Sequence, residues 1–222
     1  MFQEIADLLT SDEVEDLRGL ARGVKFVEGR ITNPHSKVKN NLHADTRGLN
    51  HQQASELLGH ALARHAQVSA FAFPKRMAPP VLTKYTVGMN YGVHADTAFI
   101  PMGTRPVRAD LSCTIFLNPL EDYDGGELSV HLGSRALDFR LPPGGAVIYP
   151  STTLHEVRPV TRGERLCGIT FIESEIVDRV SRELLFEMND VLAQEADRLS
   201  WDGITRLNYI RSSLQRQWGD AA

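Results

Sequence analysis

Apolar residues near the N-terminus recur at the spacing of an amphipathic helix. They are Val14, Leu17, Leu20 and Ala21. Thr10 or Ser11 can cap this helix at its start, because a hydroxyl can accept a hydrogen bond from an unpaired backbone N–H. Gly23 is placed to end it. The pattern therefore predicts one short helix before the rest of the fold.

The next part of the chain is predicted to be less regular. A strand is expected over residues 25–31, followed by a polar segment, residues 32–50, that shows no strand pattern. A second helix is predicted over residues 51–68, with Asn50 as its cap, because apolar residues again recur on one side.

The pattern changes over residues 81–174, where short β-rich runs are separated by turn residues. The separators are rich in Gly, Pro and Asp, notably at residues 123–126 and 142–145. This spacing predicts a two-sheet sandwich or jelly roll, so the expected fold class is mainly β with flanking helices. Helical periodicity then returns. We expect a β-core domain with N-terminal helices over residues 1–174 and a C-terminal helical extension over residues 175–222.

Composition is that of an ordinary globular protein. The chain has 222 residues, of which 42% are hydrophobic and 23% charged, and no apolar run reaches the roughly 18 residues of a membrane-spanning helix. A net charge of −4 argues against a nucleic-acid-binding protein. The N-terminus lacks the pattern of a secretory signal, so we expect a cytoplasmic protein. Cys113 and Cys167 lie in apolar runs and are expected to be buried free thiols.

Two of the eight histidines begin a His-x-Asp motif. Residues i and i+2 of a strand project from the same side of a sheet, so this motif can offer one metal ion a nitrogen and an oxygen ligand. His43-Ala44-Asp45 lies in the polar segment, whereas His94-Ala95-Asp96 follows a strand, a turn and a second β-rich run. Only the second motif has a scaffold that would fix both side chains. We therefore predict His94 and Asp96 as metal ligands.

His155 and Arg165 extend this constellation. His155 starts a β-rich run after a turn, and it can supply the second imidazole of a site with two histidines and one carboxylate, which is typical of iron(II). Arg165 lies within an apolar strand pattern, where a charged group is costly unless an anion pairs with it. That anion is either an internal Asp or Glu or a small dicarboxylate held by two hydrogen bonds.

Three segments carry the most informative motifs. They read KYTVGMNYGVHAD at residues 84–96, DGGEL at residues 124–128 and HEVRPVTRGER at residues 155–165. Together they resemble the iron(II)/2-oxoglutarate dioxygenases of the prolyl hydroxylase class, and most closely the bacterial PKHD-type hydroxylases. The similarity also covers residues 38–41 and 45–47 and the C-terminal helices, so it spans nearly the full chain.

The resemblance implies a double-stranded β-helix core and roles for particular residues. It implies that His94, Asp96 and His155 bind Fe²⁺. The cosubstrate 2-oxoglutarate would chelate the metal, and Arg165 would bind its distal carboxylate. Tyr85 matches a tyrosine that hydrogen-bonds the cosubstrate in relatives. The implied reaction hydroxylates a substrate with O₂ and releases succinate and CO₂, with L-ascorbate as the reductant that keeps iron ferrous.

One departure from the family pattern concerns the cosubstrate. Prolyl hydroxylases of animal type often place a tyrosine hydroxyl beside the arginine, at the position where this chain has Phe116. Thr114 lies on the same face of the predicted strand and could replace that hydroxyl, or Arg165 acts alone.

Further residues belong to the family pattern with less defined roles. Tyr91 matches a second family tyrosine, and Asn41 and Arg47 are expected at the wall of the pocket. Arg105 lies in residues 97–108, which directly follow the predicted metal-binding strand. This segment is either a lid or substrate loop or a plain surface connection.

The substrate is weakly encoded, so several functions stay open. The family name suggests a peptidyl proline or lysine, and a small molecule such as an iron chelator or an amino acid is equally compatible. A cupin-like metal protein would use the metal site without 2-oxoglutarate. A non-catalytic sensor would bind iron and 2-oxoglutarate without turnover, and a DNA-dealkylating enzyme is disfavoured by the acidic balance. Apolar positions in the C-terminal helices predict packing on the sandwich or a homodimer seam.

Overall fold

The computed structural model describes residues 1–33 and 35–220. Its helices are α1 (Ser11–Arg22), α2 (Leu49–Arg64), α3 (Ala66–Ala72), α4 (Arg179–Glu195) and α5 (Trp201–Trp218). Its strands are β1 (Gln3–Ile5), β2 (Phe26–Glu28), β3 (Lys39–Asn40), β4 (Leu42–Ala44), β5 (Pro74–Met77), β6 (Val81–Thr86), β7 (Asn90–His94), β8 (Phe99–Ile100), β9 (Val107–Arg108), β10 (Leu111–Phe116), β11 (Tyr123–Gly125), β12 (Leu128–Leu132), β13 (Arg135–Phe139), β14 (Ala146–Pro150), β15 (His155–Val157) and β16 (Val160–Ser174).

Two antiparallel sheets form the centre of the fold. The larger sheet has the strand order β1-β14-β10-β16-β6-β4-β2, and β5 and β11 also pair with β16. The smaller sheet has the order β13-β12-β15-β7-β3, and β8 and β9 form a separate hairpin. Strands distant in sequence are neighbours in both sheets, as in a double-stranded β-helix, or jelly roll. The predicted fold class, mainly β with flanking helices, is confirmed.

Helix α1 begins and ends as the sequence predicts. The Thr10 hydroxyl accepts a hydrogen bond from the Glu13 backbone N–H, and the Glu13 carboxylate accepts one from the Thr10 backbone N–H. This reciprocal cap satisfies donors that the start of a helix otherwise leaves unpaired. Gly23 follows the last helical residue.

The second predicted helix is divided in the structure. Helix α2 starts earlier, after Gly48 rather than Asn50, and ends at Arg64. His65 has an extended backbone, so α3 begins only after it and continues past residue 68. The prediction of one helix over residues 51–68 was wrong because the apolar period continues across His65 and no Gly or Pro marks the break.

The segment expected to lack strands contains two of them. Within residues 32–50, β3 pairs with β7 and β4 pairs with β6. Strands this short show no clear alternation, which is why the sequence pattern missed them. The strand expected over residues 25–31 ends at Glu28, before a 3₁₀ turn. The turn expected at residues 123–126 instead contains β11, which pairs with β16.

The main apolar core lies between the larger sheet and helices α1 and α2. Leu17 of α1, Leu58 of α2 and Ile115 of β10 are fully buried in it. Because side chains alternate along a strand, Thr114 and Phe116 point from the opposite face of β10, toward the smaller sheet. Helices α1 and α2 cover one face of the larger sheet, and the opposite face lines the cavity described below.

Helix α4 packs against α3, and helix α5 packs against α4. The rings of Phe186 on α4 and Phe71 on α3 meet edge to face with centroids 5.2 Å apart, and the Met1 ammonium bonds Glu183 at 2.6 Å. Strand β16 ends at Ser174, and the division into domains at that point stays a prediction.

Two further expectations concerned the cysteines and membrane-spanning helices. Cys113 and Cys167 are buried free thiols, as predicted. Over the ranges 1–33 and 35–220, no helix combines the length and the apolar character needed to span a membrane.

Candidate active site

Three side chains able to bind a metal converge where β7 and β15 meet. His94 ends β7, Asp96 follows shortly after, and His155 begins β15. The strand register pairs His155 with His94, which brings their ring centroids to 4.2 Å. One possible ligand atom from each of the three side chains lies within 4.8 Å of the others. The structure thus brings together the residues predicted as metal ligands, in an arrangement that could hold one ion.

Hydrogen bonds determine which ring nitrogen of each histidine faces the centre. Nδ1 of His94 lies 2.8 Å from the Gly92 carbonyl oxygen, and Nδ1 of His155 lies 2.9 Å from the Thr153 carbonyl oxygen. Since a carbonyl only accepts, each Nδ1 donates its hydrogen to that oxygen, and the Nε2 atoms lie toward Asp96, 3.8 Å (His94) and 3.5 Å (His155) from its carboxylate oxygens. Burial, and then the neighbouring His155, lower the pKa of His94 to about 4. This ring is therefore neutral at pH 7, the form that binds a metal.

Asp96 is oriented by two serines that the sequence analysis missed. The Ser112 hydroxyl donates to Asp96 Oδ2 at 2.6 Å and lies 2.7 Å from Ser151 Oγ. Because Ser112 has a single hydroxyl hydrogen, which goes to the carboxylate, the Ser151 hydroxyl donates to Ser112. The alternation of β10 could have identified Ser112, which shares its inward face with Thr114 and Phe116.

A cavity of about 750 Å³ lies between the two sheets and includes the three side chains. The other predicted site residues in its lining are Asn41, Tyr85, Tyr91, Thr114 and Arg165. Thr97, Phe99 and Ile100, from the predicted lid segment, form part of its wall. Lys39 and His43 also line it; burial lowers the pKa of Lys39 to about 8 and that of His43 to about 3.

Arg165 presents unused hydrogen-bond donors in the wall of this cavity. Its side chain is 2% exposed, and Nη1 donates to Cys167 Sγ at 2.9 Å. Nε and Nη2 have no hydrogen-bond partner, and no acidic side chain in the described part of the chain forms an ion pair with this arginine. An internal salt bridge therefore does not explain its burial. A carboxylate supplied by a ligand fits these donors.

Aromatic rings hold the Arg165 guanidinium. Its Cζ lies 5.1 Å from the ring centroid of Tyr85 and 5.6 Å from that of Phe116. Gly126, with φ of +68°, leaves space for the arginine stem, because a Cβ there would lie 3.0 Å from Arg165 Cδ. Phe116 therefore contributes a ring face, and no hydroxyl, beside the Arg165 guanidinium. A role for Thr114 in cosubstrate binding stays a prediction.

Tyr91 supports the metal-binding side of the cavity. Its ring stacks on that of His94 with centroids 3.5 Å apart. The Lys39 ammonium lies 5.2 Å from the Tyr91 ring centroid. Stacking on an imidazole restricts the orientation of that ring, so Tyr91 contributes to the geometry of the site.

Two predicted residues lie outside the cavity lining. Arg47 is 87% exposed in its side chain, and its guanidinium forms two hydrogen bonds to Asp45, at 3.0 and 2.9 Å. Arg105 is exposed near the turn of the β8–β9 hairpin, where its carbonyl oxygen accepts a hydrogen bond from Arg76 at 2.8 Å. Neither arginine is therefore placed to contact a ligand beside the triad in this structure.

Comparison with known sequences agrees with this geometry. Residues 80–173 match the model of the 2OG-Fe(II) oxygenase superfamily. A PKHD-type hydroxylase of Sphingopyxis alaskensis is 46% identical over 215 residues, covering 97% of this chain and 98% of that protein. A PKHD-type hydroxylase of Gluconacetobacter diazotrophicus is 37% identical over 225 residues, covering 98% of this chain and 99% of that protein.

Solved structures show the same fold at low sequence identity. A prolyl-4-hydroxylase of Pseudomonas putida has a TM-score of 0.54 at 21% identity, covering 78% of this chain and 92% of that one. HygX of Streptomyces hygroscopicus, solved with nickel, 2-oxoglutarate and hygromycin B, has a TM-score of 0.53 at 16% identity, covering 78% of this chain and 82% of that one.

Fold, site and relatives together define an iron(II)- and 2-oxoglutarate-dependent dioxygenase. The chain belongs to the PKHD-type hydroxylases of the 2OG-Fe(II) oxygenase superfamily. The predicted cofactor Fe²⁺, cosubstrate 2-oxoglutarate and co-reactant O₂ are confirmed at the level of this family. A dependence on ascorbate stays a prediction.

Proposed function

We propose that this dioxygenase hydroxylates a peptidyl proline, a peptidyl lysine or a small molecule, with Fe²⁺ bound by His94, Asp96 and His155 and the distal carboxylate of 2-oxoglutarate bound by Arg165. One observation carries the assignment. A single cavity contains the three clustered side chains and a buried guanidinium whose Nε and Nη2 lack partners. Two imidazole nitrogens and one carboxylate also fit an octahedral iron(II) ion, because they leave one face for other ligands.

The residues of the chain position the reacting groups. When bound, iron and 2-oxoglutarate supply the oxidising chemistry, in which O₂ is consumed, a substrate C–H becomes C–OH, and succinate and CO₂ are released. His94 and His155 direct their Nε2 atoms toward the centre of the cluster, and Ser112 holds the Asp96 carboxylate in one orientation. Arg165 donates from Nε and Nη2 to the distal carboxylate. Burial between two sheets limits the access of water to these contacts.

The geometry favours this function over the two alternatives. A cupin-like protein that does not use 2-oxoglutarate has no need of the buried, unpaired Arg165 beside its metal. A sensor needs space only for iron and 2-oxoglutarate. The cavity volume of about 750 Å³ falls within the roughly 300–1,000 Å³ of pockets for drug-sized ligands, which supports a place for a substrate as well.

Substrate-stimulated succinate release tests the proposed function. The protein is incubated with Fe²⁺, 2-oxoglutarate, ascorbate and O₂, together with proline- or lysine-containing peptides, free amino acids or iron chelators. At least one compound is expected to accelerate succinate release and to gain one oxygen atom by mass spectrometry. Binding of iron and 2-oxoglutarate with no turnover across these compounds would favour the sensor.

Replacing Ser112 by alanine is expected to lower the affinity for Fe²⁺ by roughly 10–100-fold, the usual effect of removing a group that orients a metal ligand. The matched control is Ser129→Ala. Ser129 Oγ donates to Asp138 Oδ1 at the same 2.6 Å, yet neither residue lines the cavity. Anaerobic metal titration of both variants measures the effect, and equal affinities would contradict the role of Ser112.

We also propose a homodimer seam along the C-terminal helices and a cytoplasmic location. Exposed apolar side chains on α4 and α5 support the seam; they are Val180, Leu184, Val191, Trp201, Tyr209 and Ile210. The free thiols fit a reducing compartment. Light scattering after size exclusion is expected to give a dimer that Leu184→Glu converts to a monomer. A monomeric wild-type protein would contradict the seam.

A further inference from the structure

Asn41 contacts the hydroxyl of Tyr85 in the cavity wall. The Asn41 side-chain Nδ2 donates to Tyr85 Oη at 2.9 Å. Both residues are buried, at 3% and 4% exposed respectively, and both line the cavity that contains the triad and Arg165. This hydrogen bond therefore lies beside the place where the proposed function puts 2-oxoglutarate.

The direction of this hydrogen bond determines what the Tyr85 hydroxyl can do. A phenol has one hydrogen to donate and accepts through its oxygen lone pairs. Because Asn41 occupies an acceptor position on Oη, the hydroxyl hydrogen must point elsewhere, and no residue in the described ranges accepts it. Burial raises the pKa of Tyr85, so the phenol keeps this hydrogen. The cavity wall thus holds a hydrogen-bond donor in the residue whose ring faces the Arg165 guanidinium.

Gly29 gives the Asn41 side chain its space. The Gly29 N–H donates to the Asn41 carbonyl oxygen at 2.8 Å. A Cβ at residue 29 would lie 1.9 Å from Asn41 Oδ1, so alanine would displace the amide. Oδ1 itself has no hydrogen-bond partner. Within the described chain, the bond to Tyr85 is therefore the one that fixes the side-chain amide of Asn41.

We propose that Asn41 is a positioning residue for the cosubstrate: by donating to Tyr85, it directs the Tyr85 hydroxyl hydrogen to a carboxylate of 2-oxoglutarate. This inference rests on the proposed function, in which the triad and Arg165 bind that molecule. Asn41 acts through the tyrosine. Its contribution therefore depends on the polarity of one hydrogen bond, which substitutions can reverse or remove.

The dissociation constant of 2-oxoglutarate, measured anaerobically with Fe²⁺ from the metal-to-ligand charge-transfer band, tests this role. Tyr85→Phe is expected to raise it about 10–100-fold, as for one hydrogen bond to a charged group. Asn41→Ala is expected to raise it about 3–10-fold, because the hydrogen is then not directed. Asn41→Asp is expected to raise it more than Asn41→Ala, since a carboxylate only accepts and would take the Tyr85 hydrogen.

Two controls separate positioning from general damage. Asn40, the exposed neighbour, donates to the Gly88 carbonyl oxygen, and Asn40→Ala and Asn40→Asp are expected to stay within about twofold of wild type. Adding Asn41→Ala to Tyr85→Phe is expected to cause no further loss, because no hydroxyl hydrogen is left to direct. A purely structural role predicts instead that the two effects add and that Asn41→Asp is no worse than Asn41→Ala. Either result would overturn the inference.

Failure of the proposed function would give a different pattern. If Arg165→Met and Tyr85→Phe both bind 2-oxoglutarate like wild type, the cosubstrate is not bound by these residues. If those two variants lose affinity while Asn41→Ala and Asn41→Asp keep it, only the role of Asn41 is wrong.

Discussion

Replacing Arg165 by methionine is expected to weaken 2-oxoglutarate binding by about 100-fold or more. In the proposed site the guanidinium gives two hydrogen bonds to a carboxylate, and each such bond to a charged group contributes about 1.5–3 kcal/mol. Losing both therefore costs about 3 kcal/mol or more, which corresponds to at least a 100-fold change. Anaerobic titration of the charge-transfer band measures the effect.

The unliganded Arg165→Met protein is expected to unfold at a temperature no lower than wild type. Methionine fills much of the space of the arginine stem and removes a buried charge that has no anionic partner. Arg162→Met is the matched control, because Arg162 lies on the same strand but is exposed and bonds Asp124 at 2.6 Å. It is expected to bind 2-oxoglutarate like wild type. An Arg165→Met protein that keeps full affinity would remove Arg165 from its assigned role.

Replacing Asp96 by alanine is expected to lower Fe²⁺ affinity by more than roughly 100-fold and to bring succinate release below detection. Removing a group that only orients a ligand costs roughly 10–100-fold in metal affinity, so removing the ligand itself costs more. The two imidazoles of His94 and His155 would remain without the single carboxylate of the cluster. Metal titration and succinate release in the presence of 2-oxoglutarate measure the two effects.

The second His-x-Asp motif provides the control for this prediction. Asp45 occupies the equivalent position after His43, but its carboxylate bonds Arg47 and lies outside the cavity lining. Asp45→Ala is expected to keep metal affinity and succinate release near the wild-type values. If the Asp45 and Asp96 variants behaved alike, the choice between the two motifs would be wrong.

The β-rich pattern around one of these two motifs was the reason for predicting His94-Ala95-Asp96, and not His43-Ala44-Asp45, as the metal-binding motif. The long β-rich pattern around His94 and before Arg165 places side chains on defined faces, so a convergence with His155 could be predicted. The strand that contains His43 was not predicted, because β4 has three residues, too few to show alternation. His43 is in fact buried in the cavity lining, although it is not in the metal-binding cluster.

The contacts that orient the site, unlike the positions of the residues that make them, could not be identified from sequence spacing. Ser112 reaches Asp96 only because β10 and β7 lie in facing sheets. Asn41 lies directly before β4, and it reaches Tyr85 of β6 because β4 pairs with β6. Both contacts depend on strand pairings between distant parts of the chain. Local periodicity carries no information about such pairings.

The sequence also did not show which of the arginines Arg47 and Arg165 would be exposed unless a clear strand pattern surrounded the residue. Arg47 belongs to the family pattern, yet its guanidinium bonds the adjacent Asp45 at the surface. Arg165 was predicted to meet an anion because the run that follows it along the strand is mainly apolar, and the structure shows its burial. The apolar pattern thus predicted a buried arginine, whereas Arg47, in a polar segment, was expected at the pocket wall and lies at the surface.

Anaerobic titration of the wild-type protein with Fe²⁺ and 2-oxoglutarate tests the central assignment most directly. The charge-transfer band is expected only when both are present, to saturate at one equivalent of each, and to be absent in Asp96→Ala. A wild-type protein that gives no such band, or an Asp96→Ala variant that gives the same band, would contradict the assignment of this site.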